Sequence, residues 1–540
     1  MLNVQCSMFN AQCSMLNVQC SMFNAQCSMY KKFFTLHFFI LSFFHSFFAL
    51  LIVGCSGPYV PENAQRINAK PAIYPDYTDV TLPANLCAPN FMVKDVQEVV
   101  ARFSFENMAF VFGEDNKVII DDDDWAAMRD AAKGKSITVE VYCNNGDSWK
   151  VYKPFQLYIA NDTIDPYISY RLIQPSYVAY EDLVLAQRNI TTFDESDIYT
   201  NRLVQTEGKG QCINCHSYQN YSTSRMLFHM RQHMGGTMLV DNGKIRKVDL
   251  KTDSTISSGV YPAWHPSLNL IAFSTNNTMQ TFRMKDRGKI EVFDTASDLI
   301  LYDVDNNTVS TICNDSNSLE SFPTWSPDGK TLYYCDAHFE YAANDTTSKE
   351  RQVIQRFGEI KYNLMRRSFN PQTHTFGKAE MVFDAAARGK SATLPRLSPD
   401  GRYLVFALGD YGCFHVWHNE ADICLIDLQQ SDSIHRLDGL NSSMSESYPS
   451  FSSNGRWIMT DSRREDGNYT RPYISYFPKP SAGQVPKCRK AFAVPQKDPE
   501  YNILLTKSYN RPEFMKQPVT ISPKEFAAVA KTDAVKGKYK

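Results

Sequence analysis

The sequence predicts a mainly β chain: an N-terminal β-sandwich-like module, a short segment built around one thiol motif, and a C-terminal radial array of six or seven β-sheet blades. Three observations carry this. Short runs of strand composition fill residues 91–195, four gapless copies of one hairpin motif follow residue 240, and a single Cys-x-x-Cys-His lies between them. With 540 residues, 43% of them apolar, the chain can bury two or three cores. Lysine plus arginine total 56 against 58 acidic residues, so no net field favours nucleic acid, and none is expected as a partner.

Residues 1–28 are MLNVQCSMFNAQCS written twice, copying polar and apolar positions alike. A structural repeat varies at its polar positions, so this stretch reads as a mis-translated repeat, with Met29 as the initiator. Residues 29–54 run from a basic MYKK into the apolar FFTLHFFILSFFHSFFALLIVG, followed by Cys55. This pattern resembles a bacterial lipoprotein signal peptide. The resemblance implies lipidation of Cys55 and export, with the protein facing the periplasm or the cell surface. Ser56 lacks the aspartate that marks inner-membrane retention in some bacteria, which favours the outer membrane. The alternative is an uncleaved anchor, since about 20 apolar residues span a bilayer.

Residues 55–90 are rich in proline and polar residues and read as a tether. From 91 to 195, VVARFSF, MAFVFG, SITVEVYC and WKVYKPFQLYIA alternate in part with period two between turn signals, the pattern of a sandwich. Within them, IIDDDDWAAMRDAAKG could suggest a calcium site. A helix accounts for it better: aspartates cap the first turn and Gly134 sits near a C-cap.

Four segments then align: YPAWHPSLNLIAFS at 261, FPTWSPDGKTLYYC at 322, LPRLSPDGRYLVFA at 394 and YPSFSSNGRWIMTD at 448. Each has proline second, a large apolar residue fourth, a tight turn and an apolar strand. Ser-Pro-Asp-Gly suits the turn because proline presets φ and glycine takes conformations other residues resist. A hairpin repeated in this way implies a radial array, a β-propeller over 241–500 with a C-terminal extension over 501–540. The motif resembles the TolB-like, WD40-like propeller repeats, although its spacing exceeds the ~40–50 residues of an ordinary blade.

Between module and array, KGQCINCHSY holds Cys212, Cys215 and His216. Two thiols at this spacing with an imidazole next to them meet the needs of covalent haem, two vinyl groups and one iron ligand. A zinc site would need a second ligand pair, and a redox dithiol would need a βαβ context. Neither accompanies the motif. Residues 196–240 therefore resemble a reduced c-type cytochrome segment with one covalent haem c, His216 being the proximal iron ligand. Candidate distal ligands are Met226, His229, Met230, His233, Met234, Met238 and, farther off, His418. Tyr218 or Tyr221 would instead favour catalysis.

The order of module, haem motif and propeller also resembles the general plan of the hydrazine synthase alpha-subunit group. Only one Cys-x-x-Cys-His is present, where members of that group carry more, so the resemblance does not transfer their reaction. The leading expectation is an electron-transfer lipoprotein with the propeller as docking scaffold for a periplasmic or membrane redox partner. The alternatives are a haem oxidoreductase with an open iron site, acid-base groups coming from His229, His233, His265 or His418, and a binding propeller with structural or sensory haem.

Overall fold

Each repeated hairpin opens an antiparallel four-stranded sheet, and there are six such sheets among the described residues, which are 57–175, 180–206, 209–283, 290–342, 344–430, 433–481 and 483–540 of this computed structural model. Blade I comprises Gln211–Gln219, Ser222–Gln232, Gly236–Asp241 and Lys244–Asp249, and blade II Val260–Trp264, Leu270–Phe282, Ile290–Asp303 and Thr308–Cys313. Blade III is Ser318–Trp325, Thr331–His338, Asn363–Asn370 and Glu380–Phe383. Blade IV is Ser391–Leu397, Tyr403–Gly409, Asp422–Asp427 and Ile434–Arg436; blade V is Glu446–Phe451, Trp457–Ser462, Arg471–Tyr476 and Phe492–Ala493.

Blade VI is shared between the two ends of the array. Its outer strands Tyr167–Ile173, Val184–Asn189 and Glu195–Thr200 precede blade I, while its innermost strand, Ser508–Met515, arrives after blade V and pairs with Tyr167–Ile173. The six first strands touch in turn around a central channel, so this pairing closes the ring. Closure completes blade VI, so that the inner edges of the six blades are short and enclosed around the channel. Outside, Val535–Lys536 and Lys538–Tyr539 add parallel to the outer edges of blades I and II, and the helix Pro523–Ala530 packs over the seam between blades VI and I.

One backbone device recurs in every inner strand. Between Asn214 and Ser217 the first strand of blade I advances three residues while its neighbour advances two, and the same bulge occurs in blades II to VI. The extra residue takes a left-handed φ each time: Cys215 54°, Tyr261 47°, Phe322 55°, Leu394 55°, Tyr448 50° and Arg511 56°. Such a φ costs a non-glycine residue about 1–2 kcal/mol. Proline follows it in five blades, a position where the missing N–H leaves the ladder intact. In blade I the follower is His216.

The tight turns behave as expected: Ser326, Ser398 and Ser452 donate to Asp328, Asp400 and Asn454, and Gly329, Gly401 and Gly455 take positive φ. The aspartate run forms the helix Asp122–Ala131, capped by Asp121, whose carboxylate accepts from the backbone N–H groups of Asp123 and Asp124. That helix belongs to a sandwich-like module with one seven-stranded and one three-stranded sheet, spanning Gln65 to Ile159.

The domain limits differ from the sequence reading in four places. The expected tether is folded beyond its first residues, with Tyr77, Val80, Leu82 and Leu86 buried in the module core. Its strands are two residues long, too short for any periodic signal. The module ends near 160 rather than 195, because 167–200 supplies three strands of blade VI. The segment 196–240 is no separate unit, since it carries most of blade I. The C-terminal extension closes and seals the ring. Residues 1–28, the apolar stretch 29–54 and Cys55 lie outside the described residues, and no helix among the described residues is long and apolar enough to cross a membrane.

The module is fastened to blade V. Trp457, fully buried, donates from Nε1 to the Thr163 carbonyl at 2.9 Å, and the Asp165 carboxylate accepts from the Ser453 hydroxyl at 2.6 Å and its N–H at 2.5 Å. Trp457→Ala is expected to lower unfolding free energy by about 3–5 kcal/mol in denaturant titration; a loss under 1 kcal/mol would mean the module is not fastened there. A chain ending at Thr506 lacks the closing strand and is expected to lose its sharp thermal transition, whereas melting as the full chain does would show that blade VI is dispensable.

Candidate functional site

At one mouth of the channel a cavity of about 730 Å³ opens among blades VI, I and II, with Phe414 and Tyr448 reaching it from blades IV and V. Its floor is the ring of bulge residues. Tyr261, Phe322, Leu394, Tyr448 and Arg511 leave only about 10 Å³ at the waist, room for about one water. Beyond lies a second cavity, about 570 Å³, lined by Tyr218, Trp264, Trp325, Leu397, Phe451 and Phe514, the fourth position of each blade's motif.

Both thiols of the Cys-x-x-Cys pair line the first cavity. Strand alternation puts Cys212 and Asn214 on one face of their strand, and the register sets Arg231 opposite Cys212 and His229 opposite Asn214, all four lining the cavity. Cys215 reaches it from the bulge. Arg231 is open to solvent; its Nη2 lies 3.6 Å from the Cys212 sulfur, and it pairs with no carboxylate among the described residues. The His229 ring is held at Nδ1 by the Thr237 hydroxyl, 3.0 Å away, and no hydrogen bond engages Nε2 among the described residues. Burial, then the charge of Arg231, lowers the His229 pKa to about 3, so the ring is neutral.

His216 does not join them. It is fully buried, its ring edge-on to Tyr218 at 6.1 Å, and it is not part of the cavity lining. Burial first, then the positive charges of Arg511 and Arg171, holds its pKa well below the usual histidine range, and its buried Nε2 has no hydrogen-bond partner among the described residues. The structure thus places His216, the expected proximal ligand, away from the cavity that Cys212 and Cys215 line. A cytochrome-type helix would turn two thiols and the imidazole toward one porphyrin, whereas a bulged strand sends thiols and imidazole to different places. The donor set fits covalent attachment through Cys212 and Cys215 and does not fit iron ligation through His216.

Of the other proposed ligands, only His229 and Met230 line the cavity. Met226 and Met238 are core side chains, Met234 packs at the edge of the core, and His233 meets the Thr206 hydroxyl at 3.2 Å on the surface. Tyr218 and Tyr221 face the opposite mouth. His265 is structural: its Nδ1 accepts from the Leu268 N–H at 2.9 Å, taking the place of the turn serine of other blades, and Nε2 meets the Gly329 carbonyl at 3.0 Å.

His418 is bound up in an ion network. Its Nε2 lies 2.9 Å from Glu291, which also accepts from Tyr411 at 3.1 Å, and its Nδ1 lies 3.5 Å from Glu420. Burial opposes its charge, but hydrogen bonds to Glu291 and Glu420 outweigh it and raise the pKa to about 9. Glu291, Arg231 and the buried Asp294 escaped sequence reasoning. Asp294 accepts from Asn276 at 2.6 Å and Thr278 at 2.8 Å, two cavity-lining residues, and burial raises its pKa to about 6. Only for Arg231 was there a signal: it alternates with His229 in LFHMRQH, and alternation implies a shared face. The nine described cysteines are all unpaired, and no cluster of three or more histidine, cysteine or acidic side chains suited to a metal ion occurs among the described residues.

Because the folded pKa of His418 lies above its unfolded value near 6.5, its contribution to stability is complete below pH 6.5 and is lost as pH rises through about 9. Wild type is expected to lose more stability than His418→Gln between pH 6.5 and 9 in denaturant titrations; parallel curves would show that the ion pair does not form.

No family model and no curated protein sequence matches this chain. Among solved structures, it is similar to a cobalt-substituted Synechocystis apocarotenoid oxygenase at 11% identity and TM-score 0.36, over 80% of this chain and 97% of the other. It is similar to a Niastella koreensis GH74 enzyme at 10% and 0.32, over 65% and 44%, and to Kuenenia stuttgartiensis hydrazine synthase at 11% and 0.25, over 47% and 75%. These are loose likenesses between β-rich folds, and none of them bears on chemistry.

Proposed function

We propose that this protein is an exported haem-c propeller that carries electrons, with one haem held covalently by Cys212 and Cys215 inside the channel cavity. The observation that carries this reading is the shared position of the two thiols on one wall of a cavity of about 730 Å³. Cofactor and ligand pockets measure about 300–1,000 Å³. Arg231 supports it further: an open guanidinium beside Cys212 without a carboxylate partner suits a porphyrin carboxylate, which would form a charge-assisted bidentate pair.

Bound there, haem supplies one-electron chemistry. The chain's own groups have simpler tasks. Two thiols tether, Arg231 pairs an acidic group, and the bulge ring closes the floor, so a redox partner has access from one mouth. The propeller is the scaffold on which a periplasmic or membrane partner docks. Lipid attachment through Cys55, with the outer membrane preferred, rests on the sequence of residues 29–56.

A second reading, a haem oxidoreductase with an open iron position, is favoured by one observation: the motif's own imidazole, His216, is absent from the cavity wall.

Protein made in a host competent for cytochrome c maturation is expected to carry one haem that survives denaturing electrophoresis. Cys212→Ala with Cys215→Ala is expected to abolish it, and persistence of covalent haem would overturn the assignment. A reduced spectrum unmoved by carbon monoxide supports electron transfer; one that shifts supports the oxidoreductase. A folded wild type without covalent haem leaves a binding propeller. Cys55→Ser is expected to move the protein from the membrane to the soluble fraction, and retention would indicate an uncleaved anchor.

A further inference from the structure

The cavity at the mouth opposite the thiols is a ligand site in its own right. We infer that it binds a small organic carboxylate that carries a ring, with the carboxylate against Arg396 at the floor and the ring against the aromatic wall. The site does not depend on haem, because a waist with room for about one water separates it from the cavity of Cys212 and Cys215.

Two positions of the blade motif build it. The first residue of each motif sets the waist, and the third, two residues farther along the strand, lines the far cavity as Ser217, Ala263, Thr324, Arg396, Ser450 and Glu513. Arg396 lines both the waist and the cavity, which puts this ring at the floor. The fourth residue of each motif makes the wall, and it is aromatic in every blade except IV, where it is Leu397. A cavity of about 570 Å³ with an aromatic wall and a few convergent polar groups has the size and character of a small-molecule site.

Charge decides the class of ligand. Arg396 and Glu513 are the only charged side chains among the described lining residues, and they pair at 2.9 Å with 25% and 18% of their side chains exposed. Glu513 also stands 3.6 Å from Nε of Arg511, a waist residue only 4% exposed. Nε and Nη1 of Arg511 have no hydrogen-bond partner among the described residues. One carboxylate therefore serves two guanidiniums. The neighbouring carboxylates are committed elsewhere: Asp165 accepts from the Ser453 hydroxyl and N–H, and Asp461 from the backbone N–H of Arg511. Burial, then Arg511, Arg171 and Arg396, holds the pKa of His216 down, so the same positive field reaches the residue beside Ser217.

A buried charge without full compensation is costly, and an anion brought next to it offsets that cost. The planar fork of Arg396 suits a carboxylate, and Arg511 behind it supplies the uncompensated charge. A cationic ligand would meet repulsion here. Cleavage of a glycoside ordinarily uses two carboxyl groups, and Glu513 is the one carboxylate in the described lining, so the site binds rather than hydrolyses.

The test is calorimetric titration of the purified full chain with benzoate and with glucuronate. Benzamide and glucose serve as neutral rings, and acetate as a carboxylate without one. At least one ring carboxylate is expected to bind about tenfold or more tightly than its neutral counterpart and than acetate, the scale of one hydrogen-bonded charged group. Preference for benzoate assigns a flat aromatic body, and preference for glucuronate a sugar. Binding of neither, or equal binding of the neutral ring or of acetate, overturns the inference. Arg396→Gln is expected to weaken binding about tenfold or more, and an unchanged affinity places the ligand elsewhere and overturns it. Glu513→Gln removes the competing carboxylate and is expected to tighten binding severalfold. Weaker binding in that variant would mean that the Arg396–Glu513 pair is only structural, which also overturns the inference. Should Arg396→Gln fail to fold, Arg396→Lys keeps the charge but loses the fork; it is expected to weaken binding severalfold, and wild-type affinity counts against Arg396 as the carboxylate's partner.

Discussion

The pairing of Ser508–Met515 with Tyr167–Ile173 is the constraint on which the rest of the structure depends. Six blades meet around a channel only if the last sheet is completed by a strand from the far end of the array. The closing strand shares its bulge, its left-handed residue and its following proline with the inner strands of blades II to V, so it enters the ring as one of six equivalent staves. The long sequence separation of its partner means that closure entropy must be met before the channel exists. That one long-range contact joins the two ends of the array around the channel.

Given closure, the bulge decides what the channel contains. A regular strand would carry alternate side chains to alternate faces throughout, and no residue would point along the ring. One added residue at a left-handed φ breaks the alternation and brings a side chain to the waist. In five blades the following residue is proline, which stiffens the corner and has no N–H to leave unpaired. Blade I departs from this, with Cys215 and His216 at the two positions. The departure leaves a thiol where the other blades put tyrosine, phenylalanine, leucine or arginine, and leaves an imidazole buried where they put a pyrrolidine ring. The thiol motif is thus a local rewriting of a structural repeat, and its strand context separates the sulfurs from the imidazole.

Charge is distributed with the same economy. The cavity wall holds an arginine without a carboxylate, while the buried carboxylates Glu291 and Asp294 are satisfied just outside it, one by His418 and Tyr411, the other by Asn276 and Thr278. Buried charges are tolerated when paired or hydrogen-bonded and are costly otherwise. The Arg231 guanidinium, open to solvent, needs no carboxylate, and it stands beside Cys212.

The sequence by itself determined the class of fold. Four copies of one hairpin motif are a local signal, because turn residues and alternation act over a dozen positions, and they were enough to announce a propeller. The helix at Asp122–Ala131 was legible for the same reason. Two further copies, CHSYQN at 215 and RPEFMK at 511, went unread: one lacks the proline, both lack the turn glycine, and the second pairs with a strand more than 300 residues away. The folded segment 58–90 and the module's true end were hidden likewise, since strands of two residues have no period. Cys212, Cys215 and His216 were legible as chemistry, yet their arrangement was not. Spacing along a chain specifies which groups are near, and only the conformation specifies which way they point. The tertiary structure decided that both thiols, Arg231 and His229 share one wall, because cross-strand register and a bulge set side-chain direction, and neither is written in any one stretch of sequence.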